Sequence, residues 1–171
     1  MDKIKVIEQD IIFLSYDEPN AEKNYADLLT KAPWAKRVHG VKGSDAAHKA
    51  CAAQCETDYF VTVDADNIID PAFLEVEVDL DELGLTKDHV FSWCGKVHVN
   101  NLMYGNGGLK MWTPAFVNNM KTHENTDGRD ETCVEFCFDP LYWPMHDCYS
   151  TTYPNGSAFQ AWRAGFREGV K

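Results

Sequence analysis

The chain has 171 residues, enough to close a core that buries roughly 70% of the unfolded surface. Sixteen Lys and Arg against 27 Asp and Glu leave a formal charge of −11, which argues against the sequence-independent grip on nucleic acid that needs basic charge to displace counterions. With 44% hydrophobic and 25% charged residues the composition is that of a globular chain, and no apolar run reaches the roughly 18 residues that would cross a membrane.

The first residues, Met1-Asp2-Lys3-Ile4-Lys5, lack the apolar core of a secretory leader, so the expectation is a cytoplasmic protein. In that compartment the six cysteines (51, 55, 94, 133, 137 and 148) stay as thiols, and the Asn155-Gly156-Ser157 sequon has no glycosylation meaning. Residues 10–15 form a continuous apolar run, the pattern of a strand covered on both faces, which ends in the turn-rich Tyr16-Asp17-Glu18-Pro19-Asn20. Tyr25, Leu28 and Leu29 then fall at helical spacing, predicting a helix over 20–31 that Pro33 closes. A short second strand is predicted at 36–41. Ser44-Asp45 opens a second helix whose small Ala and Cys residues, running to Cys55, allow close packing on a sheet. Residues 59–63 are the third strand.

This alternation predicts parallel β-α-β-α-β units with right-handed crossovers and helices on the sheet faces. Ligands of such sheets gather beyond the carboxyl ends of the strands, so the segments ending in Asp17 and Asp64 point at one crevice. The second half is less regular. Strands are predicted at 90–93, 96–99 and 132–138, a helix at 114–121, and a terminal helix at 157–167 with Ser157 as its N-cap. No repeat or linker divides the chain, which reads as one unit over 1–171.

Asp64-Ala65-Asp66-Asn67, directly after a buried strand, carries the strongest chemical signal. Two carboxylates two residues apart at a strand end can both face a hard cation such as Mg²⁺ or Mn²⁺, which would bridge a diphosphate and assist its departure. Haloacid-dehalogenase-like phosphatases also place Asp-x-Asp after a strand, but there the motif usually opens the domain, whereas two βα units precede it here. Asp64, Asp66 and Glu75 match three positions of a calcium loop, yet Ile68 and Ile69 stand at the fifth position and at the one that requires glycine. A solvated acidic turn is the plain alternative. Cys51/Cys55 and Cys133/Cys137 have a spacing that permits a structural zinc site, although the first pair already has a packing reason to be small.

Residues 43–67, a Gly and small-residue helix followed by Asp58-Tyr59-Phe60-Val61-Thr62-Val63-Asp64-Ala65-Asp66-Asn67, resemble family-2 glycosyltransferases with a GT-A fold. Gly107-Gly108-Leu109-Lys110-Met111-Trp112-Thr113-Pro114-Ala115-Phe116 resembles the glycine pair, strand and helix on the acceptor side of that family. The likeness is strong over 10–75 and weak after 120. It implies an α/β, GT-A-like fold: a Rossmann-like three-layer sandwich with a mostly parallel central sheet, residues 1–75 binding the nucleotide sugar and 76–171 facing the acceptor. The implied reaction is transfer of a sugar from a nucleotide-sugar donor, a UDP-sugar first, to an unknown acceptor hydroxyl with Mn²⁺ or Mg²⁺.

By the same resemblance Tyr16, Asp17 and Lys42 meet the nucleoside, where a ring stacks on a base and a carboxylate accepts its N–H. Asp64 and Asp66 hold the cation and the diphosphate, with His146 as a third ligand. Gly107 and Gly108 floor the acceptor side. Asp130 or Glu131 supplies the acceptor's base, although the family's Glu-Asp order is absent from Thr126-Asp127-Gly128-Arg129-Asp130-Glu131. Gln160-Ala161-Trp162-Arg163 echoes the Gln-x-x-Arg-Trp element of processive sugar polymerases, and Arg163 with Arg167 shares one helix face suited to a diphosphate. Each position also has an ordinary reading: a strand-end Tyr, a solvated Lys, a Gly turn, a packed His, solvated Arg. Two further functions stay open, a sugar nucleotidyltransferase on the same fold and a domain that binds a sugar nucleotide or a protein partner without turnover.

Overall fold

The computed structural model of the chain describes residues 3–122, 124 and 135–169. In chain order, strand β1 (Lys3–Lys5) precedes β2 (Asp10–Ser15), helix α1 (Ala21–Lys31), β3 (Lys36–His39), α2 (Ser44–Ala53), β4 (Phe60–Asp64) and β5 (Asn67–Ile69). After these come β6 (Glu77–Asp79), the single-turn α3 (Leu80–Leu83), β7 (Val90–Val97), β8 (Met103–Tyr104) and β9 (Leu109–Trp112). The chain continues through α4 (Pro114–Asn119), β10 (Tyr142–Thr152) and α5 (Ala158–Gly169). The first five predicted elements are present to within two residues at each end.

The main sheet runs in the order β3-β2-β4-β9-β7-β10-β5, with β8 on β7. It is mixed, which corrects the expected mostly parallel sheet. Among its described strands three pairs are parallel (β2 with β3, β2 with β4, β10 with β7) and four antiparallel (β4 with β9, β7 with β9, β7 with β8, β10 with β5), and β1 pairs β6 antiparallel in a separate two-stranded sheet. The physical reason lies in connection length. Only residues 98–108 separate β7 from β9, and a parallel return needs a crossover of about a dozen residues or more, so β9 comes back antiparallel and wedges between β4 and β7. Strands β2, β3, β4, β7 and β10 still share one direction, and their carboxyl ends form one edge.

Alternating strand residues serve the two faces. Ile11, Phe13, Val61, Val63, Leu109 and Met111 face α1 with its Ala21 and Leu28, while Ile12, Phe60, Val90 and Trp112 face α2 and α4 through Cys51, Ala52, Phe116 and Val117. Each large apolar side chain so removed from water contributes about 1.5–3 kcal/mol. Inside this core the Trp112 indole donates to Thr62 Oγ1 at 2.9 Å.

The predicted 132–138 strand is instead a 3₁₀ turn at Phe136–Phe138, with 132–134 outside the described residues. The 11-residue β10 was not predicted. Ser157 does cap α5, its Oγ accepting from the Gln160 amide at 3.0 Å.

Candidate functional site

A cleft of about 540 Å³ lies at the carboxyl edge of the sheet. Its walls come from the exit of β2 (Ser15, Tyr16, Asp17, Glu18), the start of α2 (Gly43, Ser44, Ala47, His48), the exit of β4 (Asp64, Asp66) and α5 (Gln160, Arg163, Arg167). Tyr16, Asp17, Asp64, Asp66 and Arg163, singled out from sequence, are thus brought together.

The backbone carrying the two acids is held from three sides. The Asp64 amide donates to Gly108 O at 3.0 Å and the Tyr153 amide to Asp66 O at 2.7 Å. Between them, buried Asn24 of α1 donates its side-chain N–H to Ala65 O at 2.8 Å. Ala65 is buried in the core, while Asp64 at the end of β4 and Asp66 in the turn that follows line the cleft.

Burial, reinforced by the charges of Asp64 and Glu18, pushes Asp66 up to about 7. The Arg167 guanidinium opposes this from across the cleft. A cation ligand must be deprotonated, so Mn²⁺ affinity is expected to rise about tenfold per pH unit below 7 and to level off above it. Titration calorimetry at pH 6 and pH 8 checks this; equal affinities at the two values contradict it.

His48 was not selected from sequence. A carbonyl oxygen only accepts, so the 2.7 Å contact between His48 Nδ1 and Ser44 O places the proton on Nδ1 and leaves Nε2 as an acceptor. Burial lowers its pKa and keeps the ring neutral, edge-on to Trp112 at 5.6 Å. Its available signal was a lone imidazole four residues after Ser44 in a helix rich in Ala and Cys. Glu124, also unselected, accepts from the Ser44 and Asp45 amides at 2.9 and 3.3 Å and so caps α2 at the cleft rim.

Other selected residues lie elsewhere. Lys42 is exposed and does not line the cleft. His146 is exposed on β10 where its pairing to β7 is irregular, six residues or about 20 Å of strand before Thr152, the residue that abuts Asn67. Gly107 and Gly108 are buried in the sheet: a Cβ on Gly107 would sit 2.6 Å from Gly95 N, and one on Gly108 would sit 2.2 Å from Asn67 Nδ2. Asp130 and Glu131 lie outside the described residues. Among the described residues no group of three or more His, Cys, Asp or Glu is placed to hold a metal ion, so the Asp64 and Asp66 pair would need ligand oxygens to complete a cation's shell. No described helix is long and apolar enough to cross a membrane.

No protein-family model matches the chain, and no curated protein does. Among solved structures it is similar to one described as a glucose-1-phosphate thymidylyltransferase from Bacillus anthracis in complex with sucrose, with a TM-score of 0.51, 10% identity, and coverage of 92% of this chain and 94% of that one. It also matches a glycosyltransferase involved in glycosylation of the major capsid of PBCV-1 (TM-score 0.46, 10% identity, 92% and 98% covered). A third match is HddC from Yersinia pseudotuberculosis complexed with GMP-PN (TM-score 0.47, 8% identity, 93% and 99% covered). At such identities the likeness to the first is one of fold.

Proposed function

We propose that the chain is a cation-dependent glycosyltransferase that moves a sugar from a nucleoside diphosphate sugar, a UDP-sugar in the first instance, to an acceptor hydroxyl. The carrying observation is that one cleft places the acids Asp64 and Asp66 together with the guanidiniums Arg163 and Arg167, at the strand edge where ligands of such sheets bind. The fold shared with the Bacillus anthracis thymidylyltransferase structure supports a nucleotide-sugar ligand there.

Two carboxylates with phosphate and water oxygens suit Mg²⁺ or Mn²⁺, which are commonly held by one or two acids plus substrate phosphates. Asp64 and Asp66 would hold that cation, whose chemistry is to neutralise charge on the departing diphosphate. Arg163 stands 3.6 Å from Asp17 in an exposed pair of little energetic weight, so it is available to turn onto phosphate oxygens. The exposed Tyr16 ring offers a stacking face for a base, and Asp17 an acceptor for a base N–H or ribose hydroxyl. His48 Nε2 adds an acceptor on the cleft wall. Asp130 and Glu131 stay the proposed bases for the acceptor hydroxyl on the family resemblance that singled them out.

Nucleotidyl transfer is the second reading, favoured by the thymidylyltransferase likeness. Against it, the exit of β2 has no glycine, and its Asp17 and Glu18 would repel a triphosphate that needs a cradle of backbone N–H groups. Product analysis separates the two. With Mn²⁺ and a nucleotide sugar, released nucleoside diphosphate is expected; pyrophosphate formed from a nucleoside triphosphate and a sugar phosphate would assign nucleotidyl transfer instead. Arg163→Ala and Arg167→Ala are each expected to weaken nucleoside diphosphate binding about 10-fold or more while stability changes by no more than about 0.5 kcal/mol, checked by calorimetry and thermal melts. Unchanged affinity in both variants would remove the arginines from the site.

A further inference from the structure

We infer that Asn67 is a positioning residue for Asp66, fixed in turn by a hydroxyl relay from buried Thr152 and half-buried Tyr104. This rests on the proposed cation role of Asp66. Asn67 opens β5 and stands opposite Thr152 of β10 in the antiparallel register, and both side chains are buried. Asn67 Nδ2 lies 2.8 Å from Asp66 Oδ1, and Thr152 Oγ1 lies 2.9 Å from Asn67 Oδ1. Tyr104 OH lies 3.0 Å from Thr152 Oγ1.

The direction of every bond in this chain follows from chemistry. In the deprotonated form that a cation ligand requires, the Asp66 carboxylate only accepts, so the Asn67 amide turns its N–H₂ toward Asp66 and its oxygen toward Thr152. The single Thr152 hydroxyl proton is then committed to Asn67, which leaves Tyr104 to donate to Thr152. Three donors run in series toward the cleft acid, and the Asn67 N–H holds the Asp66 carboxylate at Oδ1.

Gly108 completes the device. A Cβ at Gly108 would lie 2.2 to 2.8 Å from the three terminal atoms of the Asn67 amide group, so only glycine lets the amide lie flat against the strand. The same Gly108 accepts the Asp64 amide through its carbonyl. One glycine therefore borders the supports of both acids, on a scaffold of strands rather than loops. Partners behind a metal ligand typically tune affinity by about 10–100-fold.

The test compares Mn²⁺ dissociation constants and melting temperatures for wild type, Asn67→Ala, Gly108→Ala and the double variant, with Thr152→Ser and Thr152→Val alongside. Asn67→Ala is expected to weaken Mn²⁺ binding about 10–100-fold. Gly108→Ala loses both stability and affinity; adding Asn67→Ala removes the clash, so stability recovers toward that of Asn67→Ala while affinity does not. Thr152→Ser keeps wild-type affinity, and Thr152→Val, which frees the amide to rotate, does not. Wild-type binding left unchanged by Asn67→Ala, or a double variant that regains affinity along with stability, overturns this inference alone. Wild-type protein that binds no Mn²⁺ overturns the cation reading, and the inference with it.

Discussion

Asp66→Asn is expected to raise the melting temperature of the chain at pH 8 while weakening Mn²⁺ binding at least about 100-fold, above the range typical of groups that only support a metal ligand. The opposite signs have one cause. Asp66 sits with its charge partly removed from water and beside Asp64 and Glu18, which moves it from an ordinary 3.8 to about 7. A group whose folded value is raised binds protons better in the folded state, so its stabilising contribution is complete below about pH 4 and lost as pH rises through 7. At pH 8 the folded chain carries a disfavoured charge that asparagine lacks. A gain of the order of 2 kcal/mol, or roughly 4–8 °C, follows at pH 8, with little difference near pH 4. Melts of both proteins across pH 4 to 8, with and without Mn²⁺, check it. A variant less stable than wild type at pH 8 would mean that Asp66 serves the fold rather than a ligand.

Gly107→Ala carries the second large effect. The added methyl would meet Gly95 N at 2.6 Å and the Cys94 carbonyl carbon and Gly95 Cα at 2.9 Å, all backbone atoms of β7 that no side-chain rotation moves aside. The Gly107 amide also donates to Trp93 O at 2.9 Å, and its carbonyl receives the buried Lys110 ammonium at 2.6 Å, so the segment cannot shift without losing bonds. A loss of about 3 kcal/mol is expected, which lowers the melting temperature by roughly 6–12 °C in a chain of this size. Gly105 is the control: its Cβ would meet nothing within 4 Å, and alanine there should cost no more than about 0.5 kcal/mol. Equal melting temperatures for Gly107→Ala and wild type would contradict the close approach of β7 and β9.

The legible part of the sequence is the part whose signals are local. Strand β2 is a continuous apolar run and α1 shows apolar residues at helical spacing, so both are read to within a residue. The convergence of Asp17 and Asp64 follows from strand direction alone. Strand β10 was illegible because much of it is exposed, it contains Pro144, and its pairing shifts register before Cys148, so it shows neither alternation nor a continuous apolar run. His146, the expected third cation ligand, is exposed strand surface. The reversed β9 escaped for another reason: direction depends on which strands are neighbours, and periodicity does not encode that. Within the site, the acids and Arg163 were visible by motif. His48 and Glu124 were not, because one sits among alanines and the other reaches α2 from 80 residues away.

On the proposed function the Asp64 and Asp66 carboxylates bind a diphosphate through a divalent ion. A thermal-shift series of nucleoside diphosphates at pH 8, each with Mn²⁺ and with EDTA, tests it most directly. A nucleotide present at about 100 times its dissociation constant adds roughly 2.7 kcal/mol to the native state, a rise of roughly 5–11 °C. The expected result is such a rise for at least one nucleotide with Mn²⁺ and none with EDTA. A rise of equal size in both, or no rise with any nucleotide, would contradict it.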